Sequence, residues 1–213
     1  MIVRPTKAAK VLIDTNVLVY AYDRSEPLKQ KQALKALGEL AELGRGAATT
    51  QVLGEFFTVV TRKIPSPLSA GETAAQIRSH LSLWTVIDRT GALVLDAALG
   101  VRDHRMSFWD AQIWAAARAN RIPVVLSEDL SDGRVLDGVR FVNPFLPGFA
   151  LERCLASPSL TKTSMAELIR ARLRRPASRP RRRAPTEGPI LKLAGVCRGP
   201  ILSNGIDDSL FGD

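Results

Sequence analysis

The sequence predicts an α/β protein, a mostly parallel β-sheet with helices on both faces. Short apolar runs alternate with amphipathic, helix-length stretches between Val11 and Val142, which is the pattern of strands buried on both faces and joined by crossover helices. The first of these runs, Val11-Leu12-Ile13, ends in Asp14-Thr15-Asn16. It places an acid, a hydroxyl and an amide at a strand's carboxyl end, where open α/β sheets bind their ligands. The 213 residues, 46% of them hydrophobic, suffice for one full-sized core and an appendage.

The elements follow in order. Residues 1–10 are short and basic and lead into the first strand. Val17 to Tyr22 continues as a short helix that Asp23-Arg24-Ser25-Glu26-Pro27 ends. From Leu28 to Leu43, apolar residues at Leu34, Leu37, Leu40, Ala41 and Leu43 recur at helical spacing between Lys and Glu, which predicts a surface helix. Gly44-Arg45-Gly46 stops it, and Ala47-Ala48-Thr49-Thr50 reads as a second strand. The next helix, over 51–63, has Val52, Phe56, Val59 and Val60 as its inward stripe. Ile64-Pro65-Ser66-Pro67 breaks it, and Ser69 with Glu72 forms a capping box opening a helix that reaches about Ser82. A strand over 84–88 and a helix over 90–101 come next. Ser107 caps an apolar, alanine-rich helix that begins Phe108-Trp109-Asp110. Ile122 to Leu126 is a strand leading into Ser127-Glu128-Asp129, Asp132-Gly133 is a turn, and Val139 to Val142 is a last strand. His80 and His104 lie far apart without ligand spacing and read as surface or loop residues.

Four acids on separate elements invite chemistry, and each also has a plainer reading. Asp14 is placed for a ligand and equally suits a helix cap. Glu55 falls within an inward stripe, so its carboxylate needs a partner or a metal; the plainer reading is a stripe-edge side chain that reaches water or Arg62. Asp110 stands at the third helical position, where a capping box with Ser107 accounts for it without chemistry. Asp129 follows a strand exit as Asp14 does. If the four converge, like charges cannot all stay ionised without a counter-charge, and a divalent cation is the simple answer. All-oxygen ligation selects hard ions, Mg²⁺ or Mn²⁺. Such a site activates water and stabilises charge on a phosphoryl oxygen, the chemistry of phosphodiester hydrolysis.

Composition narrows the classes. No apolar run approaches the ~18 residues of a membrane span and the amino terminus lacks the apolar core of a secretory signal, so a soluble, cytoplasmic protein with no membrane partner is expected. Cys154 and Cys197 have no Cys-x-x-Cys spacing, which argues against a disulfide framework or a zinc site. The net charge is +9, and it is unevenly distributed. Residues 1–149 hold 18 basic and 15 acidic side chains, and residues 150–213 hold 12 and 6, so the tail carries most of the excess and favours polyanionic partners.

Asp14-Thr15-Asn16 after an apolar strand, Glu55 in Gln51-Val52-Leu53-Gly54-Glu55-Phe56, Asp110 in Ser107-Phe108-Trp109-Asp110-Ala111, and Ser127-Glu128-Asp129-Leu130 together resemble, in order, the four motifs of PIN-domain ribonucleases. They resemble particularly the VapC-type toxins of bacterial toxin–antitoxin pairs. The resemblance covers about residues 10–146. It implies a three-layer α/β/α sandwich, Mg²⁺- or Mn²⁺-dependent endonuclease activity on RNA, a homodimer, and inhibition by an antitoxin. By that resemblance Asp14, Glu55, Asp110 and Asp129 are the catalytic, metal-binding residues. Thr15, Asn16 and Ser127 hydrogen-bond the acids or a metal-bound water, and Asp132 is a further supporting acid.

These readings divide the chain into a nuclease domain over 1–149, a basic helix and flexible linker over 150–183, and a tail over 184–213. Ser164 to Arg175 suits a short basic helix, and the Arg- and Pro-rich run from Arg174 to Arg183 cannot form a packed core. Pro189 to Cys197 and Gly205 to Asp213 return to amphipathic patterning, and neither can bury itself alone. This extended tail is similar to the carboxyl-terminal segments with which antitoxins wrap VapC-type toxins. Arg198, with Lys192 second, is the side chain that would enter the acidic pocket and compete with metal. A catalytically silent RNA-binding or regulatory protein on the same fold is the alternative. A nucleotide-binding protein is disfavoured, because Asp14-Thr15-Asn16-Val17 stands where a Gly-rich phosphate loop would follow the first strand.

Overall fold

Val11, Leu12 and Ile13 are fully buried, and a three-residue apolar strand of this kind is stable only where other strands flank it on both sides. The computed structural model describes residues 9–156 and supplies those flanks. Strand β1 (Val11–Ile13) pairs in parallel with β2 (Gly46–Thr49) on one side and with β4 (Val124–Leu126) on the other. Beyond β2 lies β3 (Thr85–Ile87), and beyond β4 lies β6 (Val139–Val142), both parallel to their neighbours. The two-residue β5 (Val135–Leu136) closes the edge antiparallel to β6, giving the order β3-β2-β1-β4-β6-β5. The sheet is thus mostly parallel, as expected from the alternation. The β5–β6 hairpin was not expected; its turn uses Asp137 and Gly138 at positive φ, and the Trp114 indole donates to the Leu136 carbonyl at 3.3 Å.

Helices α1 (Thr15–Tyr20), α2 (Pro27–Glu42), α3 (Thr50–Arg62) and α4 (Ala70–Leu83) connect β1 to β2 and β2 to β3. Helices α5 (Gly91–His104) and α6 (Phe108–Ala119) carry the chain from β3 back across to β4. Right-handed crossovers that run one way from β1 to β3 and then reverse to β4 put the two sets on opposite faces. The packing agrees: α1 meets α2 and α3, and α3 meets α4, whereas α6 meets α5, β4 and β6. The result is a sheet sandwiched between two helical layers. The core joins Leu12, Leu18, Leu40, Phe56, Ile113, Leu126 and Phe141, where truncating a side chain such as Phe56 to Ala costs roughly 3–5 kcal/mol. A last helix, α7 (Leu151–Ala156), sets Leu151 into the same core.

Three local readings need correction. In α2 the inward residues are Ala33, Ala36, Leu37 and Leu40, and Leu34 and Leu43 face solvent, because the helix seats small alanines close to the sheet. In α3 the buried set is Val52, Leu53, Phe56 and Val60, with Val59 at the edge. His80 is not a surface residue. It lies buried on α4, stacked on Trp84 at 4.5 Å and edge-on to Phe56 at 5.7 Å, and neither ring nitrogen has a hydrogen-bond partner. Burial pushes its pKa down to about 4, so it packs as a neutral aromatic ring. The capping box of Ser69 and Glu72 is present as the sequence suggests.

Candidate active site

The strand order reverses at β1, with β2 and β3 on one side and β4 and β6 on the other, so the carboxyl ends of β1 and β4 frame the crevice where such sheets bind ligands. Register decides what stands there. Ile13 pairs with Leu126, so the residues that leave the sheet side by side are Asp14 and Ser127, and Asp129 stands two residues further out. Asp14 is buried and Ser127 fully so. The Ser127 hydroxyl donates to Asp14 Oδ2 at 2.7 Å and the Thr15 backbone N–H to Asp14 Oδ1 at 2.7 Å. Asp14 therefore also caps α1, and the two readings of this acid describe one geometry. Asn16 bridges the two strand exits: its amide nitrogen reaches Asp129 Oδ2 at 2.9 Å and Asp14 Oδ2 at 3.4 Å, and its Oδ1 accepts from the Glu128 N–H at 3.3 Å. The Asp129 N–H returns to Ser127 Oγ at 3.2 Å.

The other two acids arrive on helices. Glu55 on α3 accepts from the Thr15 hydroxyl at 2.6 Å on one oxygen and from Gln51 Nε2 at 2.8 Å on the other. Its partners are therefore Thr15 and Gln51, while Arg62 lies exposed. Asp110 is half-buried at the first turn of α6, where Ser107 caps the Asp110 N–H at 3.1 Å. Both N-cap and acid readings again coexist. Asp132 makes a different contact: its carboxylate accepts from the Asn143 N–H at 2.9 Å, at the exit of β6.

Electrostatics ties the four acids together. Burial above all, against the Ser127 and Thr15 hydrogen bonds, pushes the Asp14 pKa up to about 6, and the negative fields of Asp129 and Asp110 add to the rise. Asp110 is raised as well, first by burial and then by Asp129 and Glu55. Like charges thus share one small region, the condition under which a cation becomes favourable. The donors are carboxylates with a hydroxyl and an amide and without imidazole or thiolate, which suits a hard ion. Among the described residues no group of three or more Asp, Glu, His or Cys side chains is gathered tightly enough to cage an ion. A hard cation that keeps several waters and takes one or two carboxylates directly does not need such a cage, so the residues present fit a hydrated Mg²⁺ or Mn²⁺.

Two further side chains belong to the surroundings and escaped sequence reasoning. Gln51 shares the i,i+4 spacing with Glu55, a signal that would have found it. Lys29 on α2 pairs with Glu128 and donates to the Tyr20 hydroxyl at 2.9 Å, holding the loop between the two β4-exit residues; nothing in the local sequence announces a contact across 99 residues. Arg198 and Lys192, with the rest of the proposed tail, lie outside the described residues. Among the described residues no helix is long and apolar enough to cross a membrane.

Several solved structures are similar to the chain. A toxin–antitoxin complex from Klebsiella pneumoniae is similar at 18% identity and a TM-score of 0.48, covering 63% of this chain and 98% of its own. A VapC toxin of Mycobacterium tuberculosis that cleaves the sarcin–ricin loop is similar at 20% identity and a TM-score of 0.42, covering 55% and 87%. A DNA-bound VapBC from Salmonella typhimurium is similar at 17% identity and a TM-score of 0.46, covering 64% and 98%. No curated protein sequence matches the chain. The family profile of the PIN domain matches residues 11–131, a span that contains β1 to β4 and all four acids, and the chain therefore belongs to the PIN-domain family.

Proposed function

We propose that this protein is a Mg²⁺- or Mn²⁺-dependent endoribonuclease that acts as the toxin of a toxin–antitoxin pair. The observation that carries the reading is the meeting of Asp14 and Asp129 through Asn16 and Ser127 at the switch point of the sheet, with Asp110 and Glu55 in electrostatic and hydrogen-bonded reach. Asp14, Glu55, Asp110 and Asp129 would hold the ion, which when bound lowers the pKa of a coordinated water and neutralises charge developing on the phosphoryl oxygens. Ser127 and the Thr15 N–H fix the orientation of the Asp14 carboxylate, Asn16 keeps Asp129 beside it, and Thr15 with Gln51 holds Glu55. Orientation by such partners is typically worth 10–100-fold in affinity or activity. Asp14 is itself buried, and a low local dielectric strengthens every interaction it makes.

The wider reading places the protein in the cytoplasm, as a homodimer, with an antitoxin or its own residues 184–213 closing the site, Arg198 or Lys192 supplying the neutralising charge. The test is cleavage of single-stranded RNA by the full chain with Mg²⁺, with chelator, and as Asp14→Asn, alongside a chain ending after residue 156, a cut that keeps Leu151 in the core. Metal-dependent cleavage that Asp14→Asn abolishes supports the enzyme; greater activity in the shorter chain supports closure by the tail, and equal activity sinks it. The loose spacing of the acids favours a second reading, a protein that binds RNA on this fold without turnover. RNA binding without cleavage at any metal concentration would establish it.

A further inference from the structure

Next to the acids, at the carboxyl ends of β2 and β3, a narrow slot opens between α3, α5 and α6. It is lined by Thr49, Gln51, Asp88, Arg89, Leu93 and Gln112, with room for about one water-sized group, roughly 10 Å³. The slot adjoins the acidic centre through Gln51, one of its walls, which donates to Glu55. One of its donors lacks an acceptor. The Gln112 side chain is 96% buried, being only 4% exposed, yet its amide nitrogen has no hydrogen-bond partner. The amide cannot simply be turned around, since its Oε1 faces the Arg89 guanidinium at 3.4 Å and a guanidinium only donates. Arg89 is exposed and forms no ion pair among the described residues, Asp88 included. Its backbone is fixed, the N–H donating to the Thr50 hydroxyl at 3.2 Å. A buried donor without an acceptor is costly to maintain, and beside it stands a cation without a counter-charge. Together they ask for one anionic oxygen.

We propose that Arg89 and Gln112 form a phosphate-binding subsite that seats the RNA backbone one step away from the acidic centre. This inference rests on the ribonuclease reading and adds to it a positioning site on one side of the scissile bond. The planar guanidinium presents paired donors to phosphate oxygens; Gln112 orients it through Oε1 and, by a small turn of its amide, contributes Nε2 to the oxygen that enters the slot. Neighbouring strands are about 4.8 Å apart, so a site at β2 and β3 lies one to two strands from Asp14, within reach of a flanking nucleotide. The subsite carries no base information; it sets register, as phosphate contacts do.

The experiment uses the full chain in the Asp14→Asn background, to spare the RNA, and measures binding of a single-stranded oligoribonucleotide against salt concentration. Arg89→Gln is expected to weaken binding roughly tenfold and to reduce the slope of log affinity against log salt by about 0.7, the loss of one single-strand phosphate contact. Gln112→Leu removes an unpaired buried donor, so folding is spared; it is expected to weaken binding severalfold with the slope unchanged. With Asp14 intact, Arg89→Gln raises KM and leaves kcat near its starting value, the mark of lost ground-state binding. Unchanged affinity in either variant, with thermal unfolding confirming a folded protein, overturns the subsite while the nuclease reading stands. If the parent chain neither binds nor cleaves RNA, both fall together. Titration with inorganic phosphate separates the two sources of the anion: displacement of RNA by phosphate in the parent chain but not in Arg89→Gln supports the backbone role, whereas Arg89-dependent binding of phosphate that leaves RNA affinity unchanged assigns the slot to the free ion and overturns it.

Discussion

The two halves of the acidic centre are built differently. Asp14 and Asp129 follow adjacent parallel strands whose register sets Asp14 beside Ser127, and Ser127 and Asn16 bind both exits into one network that holds Asp129. Glu55 comes in on the second turn of α3 and Asp110 on the first turn of α6, and the side-chain contact that ties Glu55 to the strand exits is the Thr15 hydroxyl. A strand-end acid is placed by the backbone ladder and moves only with the sheet. A helix-borne acid is placed by a longer chain of packing and has room to adjust when a ligand arrives. The difference suggests that one half is fixed in advance and the other completes the site.

The largest effect is expected at the fixed half. Asp14→Asn keeps one acceptor oxygen, for the Thr15 N–H, replaces the other by an amide N–H that the Ser127 hydroxyl can accept, and removes the charge, so RNA cleavage should fall by ~10²-fold or more with the fold retained, measured as single-turnover rate beside thermal unfolding. Comparable residual activity would remove Asp14 from the centre.

Protonation offers a second probe, of about 3 kcal/mol in each direction. The Asp14 carboxyl is pushed up to about 6 from an ordinary 3.8, so between those values the folded protein binds more protons than the unfolded chain, and stability rises as pH falls. His80 is pushed down to about 4 from 6.5; there the unfolded chain binds more protons, and stability is lost as pH falls through that window. In the metal-free protein the two oppose each other. Acidification from pH 6.5 to 4 should therefore destabilise Asp14→Asn relative to the parent and stabilise His80→Phe relative to it, read from denaturant midpoints. Parallel profiles for all three proteins would remove the burial argument for both groups.

Ser127→Ala comes next. It deletes the hydroxyl that serves Asp14 and the Asp129 N–H, and should cost about 1–3 kcal/mol of stability and 10–100-fold in activity. Thr15→Val, which frees Glu55 in the adjustable half, should cost about 1 kcal/mol or less and at most about tenfold in activity. If Thr15→Val proves as damaging as Ser127→Ala, the contrast between a fixed and an adjustable half is broken.

The fold class could be read from the sequence because buried parallel strands and amphipathic helices have different periods, and the chain keeps them apart from Val11 to Val142. Ser107 and Ser69 were recognisable as caps because capping is local chemistry. The features that escaped are those set by partners distant in sequence. Trp84, four residues on, is a local neighbour of His80, but nothing around His80 shows that Phe56 will close over it, and a two-residue strand such as β5 has too short a pattern to register. The acids could be picked out singly. What the sequence did not show was that Ser127, rather than Asp129, would stand level with Asp14, since that depends on the pairing of Ile13 with Leu126.

The central position of β1 also bears on how the molecule opens. Local unfolding begins at elements with few neighbours, here the edge strands β3 and β5, whereas β1 is laddered on both sides. Amide hydrogens of Leu12 and Ile13 should therefore be among the slowest to exchange with deuterium, and excursions that loosen an edge leave Asp14 anchored. Loops and helices around this strand can vary over evolutionary time, changing what is bound, without displacing the carboxylate on which the chemistry is proposed to depend.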